Sequence, residues 1–330
     1  MVAVTGANGL LGNFIIRKLI EQNESVLALK RKGSDISMLL DIEDKITWCD
    51  ADILDPVSLQ EVLEKATHVI HTAAIVSFNP RKAKDVMDVN VQGTRNVVNA
   101  CLGLGIKRLI HISSVAALGR QKNQTSINEK NKWISSPFNS VYAESKYASE
   151  LEVFRGQEEG LSSVILNPSV ILGPGNWHRS SAQLFKYSWQ EKPFITDGFL
   201  NYVDVRDVAS VACQLLHHQI ENERFIVSGG NISYEGFFGK TAKQFHTKPP
   251  HIKLGKTLVN VLARIESFRT HFTSAEPIIT PETARFSGTE FLYENHKIKN
   301  LLNIEFQSID ETLQWCCEYY IQRNQFKKIG

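Results

Sequence analysis

The sequence predicts an α/β protein: a doubly wound parallel sheet with a smaller carboxyl-terminal region. Three observations predict it. Short apolar segments alternate with helical patterns along the first half of the chain. The first such segment, Val2-Ala3-Val4, runs straight into a glycine-rich turn, Thr5-Gly6-Ala7-Asn8-Gly9-Leu10-Leu11-Gly12. A helical pattern follows at once, with Leu11, Ile15 and Leu19 on one face and Phe14, Ile16 and Ile20 beside them. Strand, glycine turn and helix in that order form the context in which glycines point to phosphate binding. Without side chains the chain turns tightly and a pyrophosphate can approach the backbone. The helix N-terminus adds free N–H groups and a positive dipole. A tight turn with no ligand is the alternative that the rest of the chain has to decide against.

The second strand, Ser25-Val26-Leu27-Ala28-Leu29, ends in Lys30-Arg31-Lys32-Gly33. In a dinucleotide fold this strand end meets the adenosine ribose. An acidic residue there bonds the 2′-hydroxyl of NAD, and a basic one accommodates the 2′-phosphate of NADP. Beyond this strand no acidic residue occurs until Asp35. The expected cofactor is therefore NADP(H), with NAD(H) the second choice. Arg31 is the expected clamp, because guanidinium matches phosphate bidentately; a solvated basic turn is the alternative.

Ile46-Thr47-Trp48-Cys49 reads as a third strand. Asp52 and Ile53 beyond it are the pair expected at the adenine, unless Asp52 only caps the helix over Val57 to Lys65. The fourth strand is expected over His68 to Ala74. Its histidines stand three apart, point to opposite faces and cannot share a metal ion. The small Thr72-Ala73-Ala74 end lets a cofactor lie close to the backbone. One continuous helix is expected from about Asp85 to Cys101, then a fifth strand, Arg108 to Ile112, ending in Ser113-Ser114. Right-handed βαβ units of this kind give a parallel sheet that binds ligands at the carboxyl ends of its strands, where Gly6, Arg31, Asp52, Ala73 and Ser114 all fall.

Tyr142-Ala143-Glu144-Ser145-Lys146 places a phenol and an ammonium four residues apart, on one helical face. A tyrosine, with an ordinary pKa of about 10, exchanges protons poorly at neutral pH. A nearby cation favours the phenolate and equips the hydroxyl for acid–base work. Alone the spacing is common. It gains force from the glycine turn and from Ser114, 28 residues upstream.

From about Val2 to Gly230 the chain resembles the extended short-chain dehydrogenase/reductase family. The motifs are Thr5 to Gly12, Asp52-Ile53, Thr72-Ala73-Ala74, Asn90 with Gly93, Ser113-Ser114, Tyr142 with Lys146, Asn167 to Gly175, and Tyr202 to Val208. The run Val26 to Arg31 and the Asn167-Pro168 pair are most similar to the dihydroflavonol-4-reductase and 3β-hydroxysteroid dehydrogenase-like branch. The resemblance implies a Rossmann-type fold and a Ser-Tyr-Lys site. Tyr142 would be the acid in reduction. Lys146 would bond the nicotinamide ribose and tune Tyr142. Ser114 would orient the carbonyl, with Ser113 as its rival, and Pro168 and Val170 would lie near the nicotinamide. Cofactor contacts are expected from Gly6, Asn8, Gly9, Leu10, Leu11, Gly12, Arg31, Asp52, Ile53, Thr72, Ala73, Ala74, Tyr142, Lys146, Asn167, Pro168 and Val170. A homodimer through the Tyr142 helix and its neighbour is usual among relatives.

The expected division is a cofactor-binding domain over 1–175 plus about 201–230, and a substrate-binding region over 176–200 and 231–330. The second part carries Trp177, His178, Arg179, Phe185, Tyr187 and Trp189, a candidate substrate wall. A basic amphipathic helix is expected over Lys253 to Arg269, packed on the core rather than lying on a membrane. Thr280-Pro281-Glu282 starts a helix, and Ser308-Ile309-Asp310-Glu311 is a capping box for the last one.

Composition narrows the function. The chain has 330 residues, 42% hydrophobic and 22% charged, with 37 basic and 35 acidic side chains. That is a soluble globular composition with no global electrostatic case for nucleic acid. No apolar run approaches the roughly 20 residues of a membrane span. With no leader pattern, and five cysteines without CxxC spacing, a cytoplasmic protein with reduced thiols is expected. The expected reaction is NADP(H)-dependent reduction of a hydrophobic ketone or aldehyde, or oxidation of the secondary alcohol. A nucleotide-sugar epimerase or dehydratase of the same fold is one alternative. An NADP-binding redox sensor without turnover is another.

Overall fold

The computed structural model describes residues 1–119, 124–136, 139–176, 180–255, 257–259, 265 and 291–324. Its centre is a seven-stranded parallel sheet. The strands are β1 (Val2–Thr5), β2 (Val26–Lys30), β3 (Ile46–Asp50), β4 (His68–His71), β5 (Arg108–Ile112), and, after a two-residue β6 (Ser126–Ile127), β7 (Ser163–Pro168) and later β11 (Glu223–Val227). They lie in the order β11-β7-β5-β4-β1-β2-β3. The order reverses between β1 and β4, which opens a crevice at their carboxyl ends.

Helices cover both faces, so β1, β5 and β7 are buried throughout. On one face lie α1 (Leu10–Glu21) and α7 (Val205–Leu216), with Ile15, Leu19, Val208 and Leu215 in the core. On the other lie α2 (Pro56–Leu63), α4 (Gly93–Gly103) and α5 (Val141–Glu158), with Leu59, Val97 and Val153. The five cysteines are free and four are buried. Among the described residues, no helix is long and apolar enough to cross a membrane.

Two expected elements are cut differently. β4 stops at His71, and Thr72 turns back onto β1: its hydroxyl donates to the Thr5 carbonyl at 2.7 Å. The helix expected over Asp85 to Cys101 is three pieces: α3 (Ala83–Met87), a π turn (Asp88–Gln92) and α4. The wider turn carries Asn90, whose amide is clamped to Ile75. Ile75 N donates to its Oδ1 at 2.7 Å, and its Nδ2 donates to the Ile75 carbonyl at 3.0 Å. Gly93 follows because a Cβ there would meet Ile53 Cδ1 at 2.5 Å.

A second, smaller core gathers β8 (Val170–Leu172), α6 (Ala182–Trp189), β9 (Phe194–Thr196), β10 (Phe199–Asp204), β12 (Gly230–Ser233), α8 (Tyr234–Phe245) and the last helix. Phe185 of the candidate substrate wall belongs to this core, 5.6 Å from the Phe237 ring and 5.4 Å from Tyr320. Trp177, His178 and Arg179 lie outside the described residues, as does the helix start at Thr280. Lys253 and Leu254 belong to a short strand, β13 (Ile252–Leu254), rather than to the expected helix, most of which is also outside the described residues. Near the end, α9 (His296–Leu302) packs on β11 of the seven-stranded sheet. The capping box then opens α10 (Ile309–Asn324) as expected. Ser308 N donates to Glu311 Oε2 at 3.0 Å, and Glu311 N to Ser308 Oγ at 3.3 Å.

The Tyr202–Val208 motif latches α10 to the sheet domain. Asp204 is wholly buried and accepts from Thr312 Oγ1 at 2.8 Å and Arg206 Nη2 at 2.7 Å. Arg206 in turn lies 4.0 Å over the Trp315 ring. Asp207 accepts from Gln307 N at 2.9 Å. Burial lifts the Asp207 carboxyl to about 6, against about 3.9 when unfolded. The folded state therefore keeps this proton at higher pH. The contribution to stability is complete below about pH 4 and is lost as pH rises through 6. Asp207→Asn is thus expected to stabilise the protein at pH 8 by about 1–2 kcal/mol, and not at pH 4. Denaturant melts at the two pH values would contradict this if the variant gained nothing at pH 8.

Candidate active site

The glycine turn is shaped by contacts that leave no room for side chains. Gly6 takes φ +67°, and a Cβ there would stand 2.8 Å from Ala73 N and Cα. A Cβ on Gly12 would stand 2.3 Å from the Gly6 carbonyl and 3.0 Å from Ala7 Cα. Gly9 precedes α1 and supplies no side-chain cap, which leaves the first-turn N–H groups at Leu10, Leu11 and Gly12 available to an anion. Leu11 is itself core, so it offers the backbone alone. Asn8 Nδ2 donates to the Asp35 carbonyl at 3.3 Å, which holds the loop after β2 beside the turn.

The cations after β2 separate. Lys30 is held by Asp50 on β3 at 2.5 Å, whereas Arg31 and Lys32 are exposed at the strand end. Asp52 is exposed and accepts from Leu54 N at 2.9 Å; the cap of α2 is Asp55, not Asp52. Ile53 is buried against Gly93. Thr72 and Ala73 are half-buried and Ala74 is exposed just beyond β4. The turn, the uncapped helix and the strand-end cation all fit a dinucleotide. Bound there, a reduced nicotinamide cofactor supplies a hydride.

Ser114 and Tyr142 meet at the end of β5. Ser114 starts a short 3₁₀ turn (Val115–Leu118), accepting from Ala116 N at 3.2 Å. Its hydroxyl is hydrogen-bonded to the Tyr142 phenol. Ser113 is not available in its place: it is buried and donates to Glu150 at 2.5 Å. Ser140 caps α5 and accepts from Ala143 N at 3.2 Å. The helix then stacks Tyr142 over Lys146. The Phe78 ring lies edge-on to Tyr142 at 5.8 Å.

The electrostatics differ from the expectation. Burial raises the Tyr142 pKa and the Ser114 hydrogen bond opposes it; Lys146 is not among the causes. The Lys146 ammonium is buried and donates to the Ile112 carbonyl at 2.7 Å. Burial lowers its pKa to about 8, and Glu150 opposes that shift. Tyr142 is therefore a protonated phenol at neutral pH, suited to giving a proton rather than taking one.

Asn167 ends β7 behind the serines, with Nδ2 donating to the Ser114 carbonyl at 2.9 Å. Its Oδ1 and Ser169 Oγ are buried and lack hydrogen-bond partners among the described residues. Orphaned buried polar atoms are uncommon, and these two sit at the strand ends where a polar ligand would bind. Pro168 is buried, whereas Val170 is 37% exposed. Glu150 is absent from the sequence-based expectations; its spacing of four from Lys146 on α5 is the signal that could have found it.

A parallel sheet whose strand order reverses beside a glycine-rich first turn defines a Rossmann-type fold. Residues 2–228 match the NAD dependent epimerase/dehydratase family. The chain belongs to that family. It is 32% identical over 230 residues to sterol demethylase protein B of Methylococcus capsulatus, covering 68% of this chain and 69% of the relative. It is 24% identical over 333 residues to the decarboxylating sterol-4-alpha-carboxylate 3-dehydrogenase of Schizosaccharomyces pombe, covering 95% and 96%. Among solved structures, that of gox2253 superposes with a TM-score of 0.85 at 27% identity, covering 98% and 99%. The Thermus thermophilus UDP-glucose 4-epimerase complexed with NAD has a TM-score of 0.76 at 20% identity, covering 97% and 98%, a likeness of fold.

Proposed function

We propose that the protein is an NADP(H)-dependent carbonyl reductase or alcohol dehydrogenase acting on a hydrophobic ketone, aldehyde or secondary alcohol. The observation that carries this reading is the protonated Tyr142 phenol paired with Ser114 over a buried Lys146. In reduction, the bound cofactor would supply a hydride to the substrate carbonyl carbon, and Tyr142 would give its proton to the carbonyl oxygen. Ser114 would hold that oxygen by a hydrogen bond, and Lys146, one turn further along the same helix, would bond the nicotinamide ribose. An apolar substrate is supported by Val76 (48% exposed) and Phe78 (40%) after β4 and by Val170, which present open hydrocarbon at the sheet's carboxyl-terminal edge. The sterol names of two relatives agree with it.

NADP(H) is favoured over NAD(H) because Arg31 stands exposed where the adenosine ribose would lie. Arg31→Ala is expected to weaken NADPH binding about tenfold or more and leave NADH unchanged. Equal wild-type affinities for the two reduced cofactors would remove the preference. The reading as a whole is tested with a panel of hydrophobic carbonyl compounds and UDP-sugars. The expected result is NADPH consumption matched by alcohol. Conversion of a UDP-sugar without net redox change would point to an epimerase, and tight cofactor binding without turnover to a sensor.

A further inference from the structure

Glu150 is wholly buried on α5, one turn beyond Lys146, and the chemistry above makes no use of it. Three donors from three strands converge on it. Ser113 Oγ at the end of β5 donates to Oε1 at 2.5 Å, and Asn167 Nδ2 on β7 donates to the same oxygen at 2.6 Å. Arg224 Nη1 on β11 donates to Oε2 at 3.1 Å. A carboxylate held out of water is costly unless it is paired and fully bonded, and an apolar residue of its volume would often serve stability as well. A buried charge at this place therefore invites a role other than packing.

We propose that Glu150 is a positioning residue of the hydride-transfer site, holding the Ser113–Ser114 strand end in place and standing as the buried counter-charge one helical turn from Lys146. The inference rests on the reductase reading of Ser114, Tyr142 and Lys146. Two routes connect Glu150 to that site. Asn167 Nδ2 bonds both the Glu150 carboxylate and the Ser114 carbonyl, so the carboxylate fixes the backbone that aims the Ser114 hydroxyl. Lys146 lies four residues away on the same helical face.

Apart from the Ile112 carbonyl that accepts its hydrogen bond, the other titratable groups around Lys146 bring it no negative charge. Tyr142 on α5 is a protonated phenol. His71 on β4 is held down to about 3, first by burial and then by Lys146 itself. His111 on β5 is held well below its ordinary value for the same reasons. Arg224 on β11 is a second cation behind Glu150. Glu150 is the anion that works against the burial of Lys146.

The test uses full-length cofactor-free protein carrying lysine labelled with 13C at Cε, titrated by NMR. The Lys146 signal is assigned by its loss in Lys146→Met. In Glu150→Gln, which keeps the volume, Lys146 is expected to titrate about one pH unit lower than in wild type. In Arg224→Gln, which removes the opposing cation, it is expected to titrate higher. A purely structural role does not produce shifts of opposite sign. An unchanged Lys146 titration in folded Glu150→Gln overturns the proposal; if that variant does not fold, an unchanged titration in Arg224→Gln does so. The alkaline limb of the NADPH turnover profile should move down with the Glu150→Gln titration. If the wild type reduces no carbonyl compound, the reductase reading fails, while the titration still decides whether Glu150 sets the charge of Lys146.

Discussion

Tyr142→Phe is expected to lower the single-turnover rate of hydride transfer by about 10²- to 10⁴-fold, the usual contribution of a positioned general acid. Only the hydroxyl is removed. The ring remains to pack edge-on to Phe78, and α5 keeps its Ser140 cap. Cofactor affinity should therefore stay within about twofold of wild type, because the glycine turn and Arg31 are untouched. What is lost is the proton for the developing alkoxide and the hydrogen bond to Ser114. A single-turnover rate near that of wild type would remove Tyr142 as the acid. Tight cofactor binding with no hydride transfer in the wild type either would favour a sensor over an enzyme.

Gly12→Ala is expected to weaken cofactor binding by about 10- to 100-fold, roughly 1.4–2.8 kcal/mol. The added Cβ would stand 2.3 Å from the Gly6 carbonyl, and backbone, unlike a side-chain tip, cannot swing away. Relief requires α1 to move off the turn. That movement withdraws the first-turn N–H groups from the pyrophosphate, and overpacking of this kind costs about 1–3 kcal/mol. Gly103→Ala is the control. It sits at the end of α4 with nothing within 4 Å of a Cβ, and alanine favours helix over glycine. It should bind cofactor as wild type does. Calorimetric titration of NADPH into the two variants measures the difference, with thermal melts confirming that both fold. Unchanged affinity in Gly12→Ala would place the pyrophosphate elsewhere.

Much of the fold around the candidate site was legible because its logic is local. A strand, a glycine turn and a helix are encoded within twenty residues, and four-residue spacing puts Tyr142 and Lys146 on one face whatever surrounds them. The β5 boundaries follow from one apolar run, and the last helix from its capping box. The features that were not legible depend on distant partners. The π turn at Asn90 arises from bonds to Ile75, fifteen residues back, whereas the local sequence reads as plain helix. Glu150 looks like a solvated helical charge until Arg224, 74 residues later, meets it inside the protein. The Tyr142 expectation failed for a related reason. Proximity to a cation suggests a lowered pKa, but burial dominates, and the ammonium is turned to the Ile112 carbonyl. Ser113 and Ser114 are equivalent as sequence; only their opposite orientations at the strand end show that Ser113 is spent on Glu150.

The most direct test of the central claim follows deuterium from the cofactor. NADPH deuterated at the transferring position of its nicotinamide is mixed with enzyme and a hydrophobic ketone, and the products are analysed by mass spectrometry. The account predicts one NADPH oxidised for each alcohol formed, with the deuterium on the carbinol carbon. Alcohol without label, or a UDP-sugar epimerised while the cofactor pool stays unchanged, would contradict it.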